Sequence, residues 1–370
     1  MTRKLGVKAA LIDGSVIAGD VTVDPDGLVA AVGVKPAGSA GLAVPGFVEV
    51  QVNGLAGVDF TDADVDAYRI AGQALAASGV TSYQPTLISL PENTYLAALG
   101  RLTTAKMTSG LGSRILGAHL EGPFLSRARA GAHNPEAIVD PDLDLADRLL
   151  SAGRISYMTV APERPGALDL ISHLVRRRVV VAVGHSDADA ATAHRAFNVG
   201  AKAVTHLFNA LRPFHHRAAG IGVAGLVHPG VVVTLIVDGI HLDPDAVLLA
   251  VSAARDRYAL ITDAIAAAGK GDGTYQLGNQ TIHVAGAEAR LDDGTLAGSV
   301  LTMDQAVRNL IELGVEPPEA IGAATTVPAR LVGKPELGTL APGTTADVII
   351  LDEHYHVSRT IVGGNEVFAA

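Results

Sequence analysis

Short apolar, strand-like runs recur through the middle of the chain, at 46–53, 80–89 ("VTSYQPTLIS"), 114–121 ("RILGAHLE"), 155–161, 178–184, 202–206, 231–238 and 258–263. Most are separated by segments of helical period, at 62–78, 92–109, 141–153, 166–177, 187–198 and 242–255, and another follows at 301–314. Eight strands alternating with helices predict an α/β fold of the (β/α)8 TIM-barrel kind, with a doubly wound open sheet as the competing architecture. Two longer excursions, 207–230 and 264–300, have the length of functional loops rather than simple connections.

Both ends break this rhythm. Residues 1–43 hold short strand-like runs punctuated by "DG" (13–14) and "DPDG" (24–27), and the C-terminal stretch from about 336 reads similarly. Neither end can bury a core alone. The pattern predicts a small β domain from 1–43 and 336–370 bracketing a barrel domain at 44–335.

Composition narrows the function classes. In 370 residues, 48% are hydrophobic and 18% charged, as in a well-buried globular protein. The net charge of −10 argues against non-specific nucleic-acid binding. No cysteine is present, so thiolate ligands, cysteine nucleophiles and disulfides are excluded. No apolar stretch is long enough to span a bilayer, and no signal-peptide core precedes Asp13, so a cytoplasmic location is expected.

Polar residues cluster at the downstream ends of the predicted strands: Gln51 and Asn53, His119 and Glu121, His185, His206 and Asn209, Asp238 and His241, and Asp263. In a barrel these ends meet at one mouth, where active sites sit. A lone buried histidine is more often a hydrogen-bonded core residue. Glu121, His185 and His206 together form a one-carboxylate, two-imidazole set suited to Zn2+ or Fe2+. Asp263 follows an apolar run. A carboxylate there needs a partner or a task, and beside a metal site it suits general acid–base work; a helix cap is the alternative. Arg212, His215, His216 and Arg217 crowd the 207–230 excursion, as an anion pocket or a solvated loop. "GIGVAG" (220–225) matches a dinucleotide fingerprint, but a strand-like run rather than a helix is expected after it.

"PGFVEVQVNG", "HLEGPF", "GAHNPE", "VGHSDA", "THLFNA", "DGIHLD", "ITDA" and "LAGSVLTM" occur in this order, and as a set the chain resembles the N-acetylglucosamine-6-phosphate deacetylases of the amidohydrolase superfamily. The resemblance implies a TIM barrel with a small β-sandwich. It implies metal-dependent hydrolysis of the acetamide of N-acetylglucosamine 6-phosphate, a step of amino-sugar catabolism and cell-wall sugar recycling. An N-acetylgalactosamine-6-phosphate deacetylase and a non-catalytic sugar-phosphate-binding protein are the alternatives.

The resemblance also implies Glu121, His185 and His206 as ligands of one divalent metal per subunit: Zn2+, or else Fe2+, Mn2+ or Co2+. Asp263 matches the catalytic acid/base, and His133 a residue contacting the acetamide. Ala132, Asn209, Ala210, Arg217, Asp238, His241 and the loop Leu296, Ala297, Gly298 match the substrate-binding set. The partner expected is a small sugar phosphate, not nucleic acid or membrane. The family's habit implies a homodimer or homotetramer with a phosphate site shared between subunits. Where many amidohydrolases carry His-x-His for a second metal, this chain has Gln51 and Asn53, whose neutral amides are poorer ligands. Glu49 shares their strand face.

Overall fold

A computed structural model describes residues 1–108 and 110–370. Eight parallel strands run in chain order: β1 (Phe47–Val52), β2 (Val80–Leu87), β3 (Ala118–Glu121), β4 (Ile155–Val160), β5 (Val180–Val183), β6 (Ala203–Val204), β7 (Val232–Leu235) and β8 (Tyr258–Leu260). Each pairs with the next from β1 through β8. Helices lie between most of them, so the (β/α)8 expectation holds and the open sheet is discarded. These strands are buried almost throughout, because helices cover one face and the barrel interior fills the other.

The ring closes without a regular ladder between β8 and β1. Asp263 N–H donates to Gln51 O at 2.9 Å and Asn53 N–H to Ala264 O at 2.8 Å. The fully buried Glu49 carboxylate spans the same seam, accepting from Gln51 N (2.9 Å) and Thr262 N (2.9 Å). Burial pushes the Glu49 carboxyl up to about 8, against those two donors, with the Asp263 charge adding to the rise. A carboxyl raised above its unfolded value binds more protons when folded. Its stabilising contribution is therefore complete below about pH 4.5 and is lost as pH climbs through about 8. The melting temperature of the native chain is expected to fall across that window relative to Glu49→Gln, by at most about 1.4 kcal/mol of stability per pH unit. Parallel melting curves would contradict this.

The termini build a six-stranded sheet in the order Asn365–Ala369, Val357–Val362, Val348–Leu351, Ala40–Pro45, Val7–Ile12, Ser15–Ala18. A three-stranded sheet of Arg3–Lys4, Asp20–Val23 and Val29–Val34 packs with it around Val7, Val21, Val348, Ile350 and Ile361. Asp347, almost fully buried, ties this unit to the barrel through a two-pronged pair with Arg114 (2.5 and 3.1 Å).

Two local expectations change. "GIGVAG" lies inside a helix, Gly220–Val227, and the expected strand, β7, follows that helix. Its residues are almost all buried, so packing overrides the poor helix propensity of its glycines. The 264–300 excursion carries a three-stranded antiparallel sheet, Gly273–Leu277, Gln280–Ala285 and Glu288–Arg290.

Candidate metal centre and active site

Side chains on a strand alternate, so Glu49, Gln51 and Asn53 point into the barrel, as do His119 and Glu121. His119 sits one layer below the mouth. Its Nδ1 meets Val50 O (3.1 Å) and its Nε2 meets Thr159 Oγ1 (2.9 Å), while burial drops it to about 4. It is a neutral, saturated core histidine. Glu121 ends β3 at the mouth.

His185 follows β5 after Gly184, where a side chain would meet Thr159 Cγ2 at 2.7 Å and Thr205 Cβ at 2.8 Å. His206 follows β6. His185, His206 and Asp263 all have left-handed backbone, at φ 45°, 27° and 51°. Non-glycine residues pay for that conformation, and such strain gathers at functional sites.

Glu121 Oε1 lies 3.2 Å from His185 Nε2 and 3.0 Å from His206 Nε2, and the two Nε2 atoms are 3.0 Å apart. His185 Nδ1 faces Arg129 O at 2.9 Å, and His206 Nδ1 faces Asn209 O at 3.1 Å. Carbonyls only accept, so each Nδ1 carries the proton. In the neutral rings both Nε2 lone pairs then point at one another and at a carboxylate. Three converging lone pairs repel unless a cation sits among them. The spacings approach the edge of about 3.4 Å expected for a tetrahedral site with arms of about 2.1 Å. The residues therefore fit a divalent metal, and Glu121, His185 and His206 form the cluster able to hold one among the described residues. Burial would raise Glu121, but the imidazoles of His185, His133 and His206 around it hold it well below the usual carboxylate range.

His133 Nδ1 accepts from Ser89 N–H at 3.0 Å, so the neutral ring keeps its proton on Nε2, which lies 3.4 Å from Glu121 Oε2. Burial, then the neighbouring His185, lowers His133 to about 4. It is a neutral N–H donor aimed at the metal ligands. Asp263 Oδ1 accepts from Asn53 Nδ2 (2.7 Å) and Gln51 Nε2 (3.2 Å), and Gln51 Nε2 also donates to Glu121 Oε1 (2.9 Å). Among the described residues nothing hydrogen-bonds Asp263 Oδ2. Burial and the Glu121 charge raise Asp263 to about 6.

A cavity of about 360 Å³ opens over this cluster, lined by Asn53, Glu121, Ala132, His133, His185, His206, Asn209, Ala210, His241, Asp263, Leu296 and Gly298. Gly298 (φ 66°) approaches Asp263 O so closely that a Cβ would lie 2.8 Å from it. Ala297 is buried behind the wall. Asp238 is turned onto His241, accepting its backbone N–H (2.8 Å) and pairing with its Nδ1 (2.6 Å), so His241 alone meets the cavity. Arg217 is exposed, its guanidinium on His216 Nε2 (2.7 Å), and does not line the cavity of this chain. Ser89 and the Arg129 carbonyl, which fix His133 and His185, carry no sequence signal, because any residue supplies a backbone group. Ile88, Ile236 and Leu277 add an apolar wall.

A closed parallel barrel with a carboxylate–imidazole metal site at its C-terminal mouth defines a barrel metallohydrolase. The amidohydrolase family model matches residues 42–367, and the chain belongs to that family. It is 38% identical over 347 residues to the N-acetylgalactosamine-6-phosphate deacetylase of Escherichia coli O157:H7, covering 92% of each chain. It is 38% identical over 374 residues to the N-acetylglucosamine-6-phosphate deacetylase of Caenorhabditis elegans, covering 95% of this chain and 85% of that one. A mutant N-acetyl-D-glucosamine-6-phosphate deacetylase from Mycobacterium smegmatis, solved with N-acetyl-D-glucosamine-6-phosphate, superposes with a TM-score of 0.93 at 34% identity, covering 100% of this chain and 99% of that one.

Proposed function

We propose that the barrel, residues 44–335, hydrolyses the acetamide of N-acetyl-D-glucosamine 6-phosphate to D-glucosamine 6-phosphate and acetate. The observation that carries this reading is the convergence of Glu121, His185 and His206 with the free Oδ2 of Asp263 and the Nε2–H of His133 around one cavity. Glu121, His185 and His206 would hold a divalent ion, Zn2+ for this borderline donor set, which would supply Lewis acidity and make a nearby water more acidic. His133 donates to the acetamide oxygen as negative charge grows there. Asp263 takes a proton from the attacking water as the new C–O bond forms, then delivers it to the nitrogen as the C–N bond breaks. Gln51 bridges Glu121 and Asp263 with a neutral amide, which supports one tightly bound metal per subunit. The cellular setting proposed is cytoplasmic amino-sugar catabolism; no helix of the described residues is long and apolar enough to cross a membrane.

Acetate release from the two 6-phosphate epimers, with and without added metal, tests the reading; metal-independent release, or none from either sugar, overturns it. The galacto epimer is the second reading, favoured by the likeness to the Escherichia coli O157:H7 enzyme over 92% of both chains.

His241, held by Asp238, and Asn209 and Ala210 are assigned to the sugar phosphate. Arg217 stands outside its own chain's cavity on an exposed loop, which supports its serving a neighbouring subunit's phosphate site in a homodimer or homotetramer. Arg217→Ala is expected to raise KM at least about tenfold for the phosphorylated sugar, the worth of one charge-assisted hydrogen bond. The unphosphorylated sugar should be unaffected, and equal losses on both would refute the assignment.

A further inference from the structure

At the opposite end of the barrel from the mouth lies a second cleft, of about 440 Å³, lined by Lys106, Arg114, Arg154, Lys334, Glu336 and Thr345 over a floor of Ile115, Leu116 and Leu337. Arg154 immediately precedes β4, and Arg114–Leu116 lead into β3, so the cleft sits at the N-terminal ends of the strands. Glu336 and Thr345 come from the C-terminal segment that returns to the small sheets. The cleft therefore straddles the join between barrel and terminal unit.

Four cations converge here in a chain whose net charge is −10. Two are committed. Arg114 is gripped by Asp347, and Lys106 Nζ donates to the carbonyls of Ile115 and of Leu116 (3.1 Å). Among the described residues, the Arg154 guanidinium has no hydrogen bond or ion pair, and Lys334 has only Glu336 at a loose 4.0 Å. With Asp347 and Glu336 as the acids, the cluster keeps a surplus of two positive charges. Burial and the neighbouring charges of Arg154, Lys334 and Arg114 lower Lys106, a sign that the four feel one another across the cleft. Like charges brought together by folding destabilise the fold unless an anion relieves them. Arginine and lysine donors with a threonine hydroxyl suit a tetrahedral oxyanion.

We propose that this cleft binds a dianionic phosphate, free or as the monoester of a small molecule, at a site separate from catalysis that clamps the barrel to the terminal sheets. The test is thermal unfolding of the metal-loaded protein titrated with inorganic phosphate against chloride at matched ionic strength. Phosphate should also enter the catalytic mouth, so the decisive quantity is the difference between the native protein and Arg154→Ala/Lys334→Ala. The native midpoint is expected to rise saturably. The double variant should lose this component, with apparent affinity there at least about tenfold weaker. Arg154→Lys/Lys334→Arg should retain it, and kcat and KM should be unchanged in both. Glucose 6-phosphate as a second titrant separates the sources: tighter binding than phosphate at the site removed by the double variant identifies a monoester, equal binding free phosphate. Identical phosphate-induced shifts in the native and double-variant proteins would overturn the proposal.

Discussion

Asp263→Asn is expected to lower kcat by at least about 10²–10⁴-fold, the range for losing a general acid–base group, while metal content and melting behaviour stay near native. The structure explains why this substitution is so selective. Asp263 Oδ1 is occupied by the amides of Asn53 and Gln51, and an asparagine carbonyl can take over that accepting role. What changes is the other position, where a proton-accepting oxygen becomes an N–H donor. The pH profile gives a second reading of the same group. Burial and the Glu121 charge raise Asp263 to about 6, so its basic form is present above that pH and disappears below it. In the native enzyme kcat/KM should fall as pH drops through about 6, and the residual rate of the variant should lack that limb. Near-normal turnover in a folded, metal-replete variant would remove Asp263 from the mechanism.

Glu121→Gln should have an effect of comparable size for a different reason. The carboxylate supplies the only negative ligand in a group whose two imidazole Nε2 atoms stand 3.0 Å apart. An amide of the same shape offers the cation a neutral oxygen in place of a charged one, and a neutral amide is a much poorer ligand. Metal affinity should fall by more than the roughly 10–100-fold that losing an outer hydrogen-bonding partner costs, and activity should fall with it. Metal content after dialysis reads this directly, independent of turnover, and excess metal should restore activity only in part. Retention of a full equivalent through dialysis would show that the ion sits elsewhere.

The barrel was legible because each buried strand is a short apolar run and each covering helix has its own period. The site was legible because Glu121, His185, His206 and Asp263 follow such runs directly, and a barrel brings those ends together. Features set by backbone geometry were not. Nothing in the residue types at 185, 206 and 263 reveals their left-handed backbone, and nothing at Ser89 or Arg129 marks the N–H and carbonyl that choose the histidine tautomers. The helix at Gly220–Val227 was hidden for a related reason: its glycines and valines disfavour helix locally, and the burial of most of its residues makes it one. Asp238 showed its residue type at the right place but not its direction, toward His241 rather than the cavity.

The central strand pair of the terminal sheet, Ala40–Pro45 against Val348–Leu351, joins segments that lie on either side of the whole barrel in sequence. During synthesis the early strand emerges with one edge unpaired and keeps it until the barrel and its last helices have been translated. An open apolar edge of this kind is a template for association with other chains. The same topology that lets the two ends of the chain meet makes the order of emergence from the ribosome the period of greatest aggregation risk, and it makes the last few dozen residues, far from the chemistry, the ones that end it.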